Sequence, residues 1–128
     1  MILSNKLDLT HNGGKNIHLN TFDQDYFDGA DNTSSVGKVT DFNLMMRKGK
    51  CNGKVTHKLI KEKTEYILEK DYDTVIILAV DGELEIEGTK LIKLSKFDSL
   101  IVKKKDIGTK VSLSSITGTN VVITKIKY

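Results

Sequence analysis

The chain has no tryptophan and no proline, a single cysteine, and three widely spaced histidines in 128 residues. Each scarcity excludes something. One cysteine, Cys51, rules out an internal disulfide and suits a reducing compartment. Cys51 stands between Lys50 and the turn-forming pair Asn52-Gly53, a weak setting for a nucleophilic thiol, so it reads as a bystander. No apolar run approaches the roughly 20 residues of a membrane-spanning helix. The start, Met1-Ile2-Leu3-Ser4-Asn5-Lys6, has no signal-peptide core. A cytoplasmic protein with no membrane partner is therefore expected. Twenty basic against seventeen acidic residues give a net charge of +3, too mild for a nucleic-acid surface. The run Lys103-Lys104-Lys105 is followed at once by Asp106 and reads as a solvated loop.

The scarce histidines also limit metal chemistry. A metal-binding jelly roll of the cupin kind uses a His-x-His pair with a downstream glutamate, and later a histidine after a Pro-x-Gly turn. His11, His18 and His57 form no such pair, no histidine follows residue 57, and proline is absent. No metal or other cofactor is expected. Asp23, Asp25, Asp28 and Asp31 lie close together, but an EF-hand loop needs an oxygen at position 5 and a glutamate at position 12. Phe27 and Ser34 stand there. Motifs for nucleophilic triads and phosphate loops are missing as well.

Without proline, turns fall to Gly, Asn and Asp. Asn12-Gly13-Gly14, Asp28-Gly29, Asn52-Gly53, Asp81-Gly82, Gly88-Thr89 and Gly118-Thr119-Asn120 divide the chain into short runs rich in Val, Ile, Leu and Thr. Period-2 alternation predicts about ten strands: 16–22, 39–47, 54–60, 65–69, 74–80, 83–87, 90–94, 99–103, 110–116 and 120–127. Residues 74–80 are continuously apolar, as in a strand buried on both faces. Asp81-Gly82 has the composition of a two-residue type I′ hairpin turn. After it, Leu84 and Ile86 point in while Glu83, Glu85 and Glu87 point out. The acidic stretch 23–35 is the longest predicted loop, pinned by Tyr26 and Phe27. The expectation is a single all-β domain over residues 1–128, of about nine or ten short antiparallel strands.

The most specific stretch is Thr40-Asp41-Phe42-Asn43-Leu44-Met45-Met46-Arg47. In a strand, Phe42, Leu44 and Met46 share one face and anchor it. Asp41, Asn43, Met45 and Arg47 share the other, with Asn43 and Arg47 roughly 7 and 20 Å along from Asp41. Arginine offers a planar fork for a carboxylate or phosphate, and asparagine both donates and accepts. Such a row is either the wet face of a sheet or the wall of a small-molecule pocket.

This stretch resembles the Asp-(Phe/Leu)-Asn-x-Met-x-Arg signature of the HutD/Ves family. The resemblance continues through Leu9-Thr10-His11-Asn12-Gly13, Phe27-Asp28-Gly29, Gly37-Lys38-Val39, Val80-Asp81-Gly82-Glu83-Leu84 and Phe97-Asp98-Ser99-Leu100. It implies a cupin-like jelly roll or barrel, here without metal, and a role in histidine utilisation or stress response. It also implies sensing of an acidic pathway product such as formylglutamate. The family's N-terminal part carries a Trp-x-Asn-Gly-Gly segment, and the chain is expected to match only the C-terminal portion. Three functions follow as expectations. The first is a non-catalytic binding or regulatory protein contacting an acidic metabolite through Asp41, Asn43, Met45 and Arg47. The second is a metal-independent isomerase or hydrolase with Asp41 as the proton-transfer group. The third is an oligomerisation module, with an uncovered sheet edge closing a symmetric homodimer.

Overall fold

A computed structural model describes residues 1–103, 105 and 110–128. Among these no α-helix occurs, and no helix is long and apolar enough to cross a membrane. The chain, expected as one domain, forms two compact units, Met1–Asn43 and Leu44–Tyr128.

The first unit contains β1 (Ile2–Ser4), β2 (Leu7–His11), β3 (Asn16–Leu19), β4 (Thr33–Val36) and β5 (Thr40–Asp41). β2 is the centre of a three-stranded sheet in the order β3-β2-β4, while β1 pairs with β5. Asn12 and Gly13 both have positive φ, and Gly14 N–H donates to His11 O at 2.9 Å. That is the type I′ geometry an Asn-Gly pair favours. Ile2, Leu9 and Leu19 form the small core, with Leu7, Ile17 and Val39 against it.

The second unit contains β6 (Asn52–Ile60), β7 (Thr64–Ile67), β8 (Thr74–Ala79), β9 (Leu84–Glu87), β10 (Leu91–Leu94), β11 (Ser99–Lys103), β12 (Lys110–Ser114) and β13 (Thr119–Lys127). They form two antiparallel sheets, β11-β8-β13-β6 and β10-β9-β12-β7. Eight antiparallel strands, crossing between two sheets at every connection except the β9-β10 hairpin, make a jelly roll, the architecture of cupins. Directly opposed residues share a face. In the first sheet Val121, Ile123 and Lys125 are level with Ala79, Ile77 and Val75. Leu100 and Val102 continue those rows on β11. From the facing sheet come Leu84, Ile86 and Leu113, all essentially inaccessible to solvent.

The alternation read for 83–87 holds: Leu84 and Ile86 are buried, and the outward Glu85 and Glu87 pair with Lys93 and Lys63. Two expectations fail. Asp81-Gly82 does not close a hairpin, because β8 and β9 belong to different sheets. It is a corner instead, where Asp81 accepts from Asn120 N and Nδ2 at 2.7 and 2.8 Å. Gly82 is required there, having positive φ, and a Cβ would stand 2.8 Å from Thr119 Oγ1. Second, the strand expected over 39–47 is a strand only at Thr40–Asp41, its ladder with β1 ending where Phe42 N–H donates to Met1 O. The strands β1, β2 and β4 went unpredicted because they are short and mixed in polarity. Part of the charge run, Lys104 and Asp106, lies outside the described residues.

Leu113 is fully enclosed between the sheets. Leu113→Ala is expected to lower stability by about 2–5 kcal/mol, read from urea unfolding. A loss below about 1 kcal/mol would contradict this packing.

Candidate functional site

In the inter-sheet core of the jelly roll Leu84 and Leu94 are level at one end, and Leu113 is level with Ile86. At the other end the inward positions are Val102 and Val111, which are smaller and half-buried. Here a cavity of about 620 Å³ opens, walled by Leu68, Ile86, Ile92, Leu100, Val102 and Val111. Its size is that of a small-molecule site. Ile101, the Gly88-Thr89-Lys90 turn between β9 and β10, and Lys110 complete the rim. Lys110 pairs with Glu65 at 2.5 Å. Lys90 is exposed and has no ion pair among the described residues.

Toward β6 and β7 the same end is polar. Lys125, level with Val75 and Val102, points between the sheets and is ion-paired with Glu69. Its ammonium lies 5.8 and 5.5 Å from the ring centres of Tyr66 and Tyr72, and Lys58 reaches over Tyr66 at 5.4 Å. Such placements are cation–π contacts. Burial pushes the Tyr66 phenol above its ordinary 10.0, against the pull of the Lys125 charge. Burial draws Lys125 down, but the bond to Glu69 and the proximity of Tyr66 outweigh it, and the net shift is upward from 10.5. Among the described residues the buried Tyr66 hydroxyl has no hydrogen bond of good geometry, the Lys125 ammonium beside it being committed to Glu69. A buried, unsatisfied hydroxyl costs about 1–3 kcal/mol.

The residues singled out in sequence lie elsewhere. Asp41, Asn43, Met45 and Arg47 are all exposed, Met45 at 88%, and none walls the cavity. Asn43 Nδ2 donates to Asp41 Oδ2 at 2.6 Å. Arg47 O accepts from Lys50 N–H at 3.1 Å and from the Cys51 thiol at 3.8 Å. The period-2 alternation survives without a ladder, since Phe42 and Leu44 are half-buried between exposed neighbours. The anchoring of Leu44 and Met46 is explicit, as both side chains fill the space a Cβ on Gly53 would occupy, at 2.6 and 2.8 Å. Gly53 is opposite Ile126, on the sheet face turned away from the core.

One further residue stands out. His11 is a strand residue with a mostly covered ring. It bonds Thr33 Oγ1 through Nδ1 at 2.8 Å and Asp25 Oδ2 through Nε2 at 2.5 Å. Phe27 stacks on it with ring centres 4.8 Å apart, pinning the acidic loop as expected, while Tyr26 is exposed. Asp23, Asp28 and Asp31 accept bonds from nearby backbone N–H groups, so the acidic cluster caps turns. Among the described residues no group of three His, Cys, Asp or Glu side chains is arranged to hold a metal.

Comparison with known proteins places the chain. The family model described as HutD matches residues 1–121. The chain belongs to the HutD family. The match begins at residue 1, which overturns the expectation that only the family's C-terminal portion is represented. A conserved protein of unknown function from Pseudomonas aeruginosa PAO1 is similar over 99% of this chain and 67% of its own, with a TM-score of 0.84 at 13% identity. A Neisseria meningitidis protein (TM-score 0.49, 12% identity, 65% of this chain and 80% of that one) is a more distant likeness. So is a cupin-2 domain containing protein from Shewanella frigidimarina (TM-score 0.45, 11% identity, 64% and 76%). No curated protein matches.

Tyr66 and Lys125 both hold their protons more tightly in the folded chain than in the unfolded one. The stability they confer is complete below the ordinary tyrosine and lysine ranges and is lost as pH rises through the raised values. Urea midpoints should therefore fall between about pH 9 and pH 11. Tyr66→Phe should reduce that fall, and at neutral pH leave stability unchanged or raised by about 1 kcal/mol. A neutral-pH loss above about 1 kcal/mol would show that the hydroxyl is bonded after all.

Proposed function

We propose that this HutD-family chain is a non-catalytic small-molecule-binding protein whose ligand occupies the inter-sheet cavity of the jelly roll. The carrying observation is the cavity itself, ligand-sized and walled by aliphatic side chains, with lysines at its mouth. The cationic rim supports an acidic ligand. Binding without catalysis is favoured because, among the described residues, the cavity wall is aliphatic and carries no carboxylate. Asp41, the proton-transfer candidate, is exposed and bonded to Asn43, outside the desolvated setting a general base needs.

An environment-sensitive apolar fluorophore tests this reading. The chain should enhance its emission with a one-to-one stoichiometry, and Val111→Trp, which projects an indole into the cavity, should weaken the effect while the fold persists by circular dichroism. Arg47→Ala should leave it intact. The opposite pattern, with Val111→Trp silent and Arg47→Ala disruptive, would move the site to the row of Asp41, Asn43, Met45 and Arg47.

A further inference from the structure

The wall chemistry narrows the ligand further, resting on the binding reading above. Every side chain that enters the cavity from β9, β10, β11 and β12 is a branched aliphatic, and Leu68 completes the wall. The nearest inward polar groups, Tyr66 and Lys125, are packed against each other and Glu69 and do not line it. A carboxylate or ammonium carried inside would lose its hydration and gain no partner, which is prohibitive for a charged group. The charge of any occupant must therefore remain at the mouth. There the rim is cationic and polar: Lys90, Lys110 and the Thr89 side chain. Lys110 is committed to Glu65, which among the described residues of the rim leaves Lys90 as the cation free to pair.

We infer that the cavity takes an aliphatic monocarboxylate, its chain between the sheets and its carboxylate against Lys90. This excludes small polar diacids and amino acids, which would bring a second charged group into the aliphatic wall. It also disfavours amines, which meet the lysines. The charge complementarity is local, since the net charge of the chain is only +3.

Calorimetric titration of the whole chain with butanoate, hexanoate, octanoate and decanoate tests this, with octanol, octylamine and glutarate as controls. Affinity should rise about fourfold per methylene until the cavity is filled. Octanoate should bind several-fold more tightly than octanol, and octylamine and glutarate should not bind detectably. Lys90→Ala should erase the advantage of octanoate over octanol without changing octanol itself, and Val111→Trp should weaken the binding of both. Equal affinity for octanoate and octanol, or binding of glutarate at least as tight as octanoate, overturns the inference while the cavity reading stands. Failure of every compound and of the fluorophore overturns both.

Discussion

The jelly roll depends on one constraint: alternate residues of eight strands must meet between two sheets. Ile77, Ile123, Leu84 and Leu113 satisfy it with almost no residual exposure. Burying such side chains is worth about 1.5–3 kcal/mol each, which makes this interface the dominant stabilising term of its unit. The outward residues follow from it. Glu85 and Glu87 face water because Leu84 and Ile86 cannot, and their pairs with Lys93 and Lys63 are exposed and contribute little.

The cavity is where this constraint relaxes. Close-packed interiors leave few voids larger than a water molecule. Here small valines replace larger side chains at one end, and the neighbouring inward position on β13 is a lysine. Lys125 cannot fill an aliphatic gap with its head group. It turns instead to Glu69 and the rings of Tyr66 and Tyr72. The end of the sandwich is thus divided into an ion-paired half and an unfilled aliphatic half. Cationic heads over aromatic faces and an orphaned hydroxyl are tolerated because the rest of the interface is well packed.

Much of this was legible in sequence. Alternation and Gly/Asn/Asp punctuation located the strands of the second unit, and the signature around Asp41-Phe42-Asn43 identified the family. Sheet membership was not legible. Asp81-Gly82 has hairpin composition, but the Greek-key path carries the chain across to the other sheet, and a local turn signal does not encode that choice. The cavity was not legible for a related reason. Val102 and Val111 look like ordinary core residues, and only the folded arrangement shows that no described side chain fills the space between them. Conversely, polar alternation at 41–47 is genuine, yet it belongs to an extended segment anchored over Gly53 by Leu44 and Met46. Alternation reports which residues face water, and it does so whether or not a ladder forms.

On the proposed reading, ligand enters between the sheets rather than along the polar row. Methyl-labelled NMR during an octanoate titration addresses it most directly. Saturable shifts at Ile92, Leu100, Val102 and Val111, with the amides of Asp41, Asn43 and Arg47 unmoved, are the predicted result. Shifts centred on those three amides and Met45, with the cavity methyls silent, would contradict it.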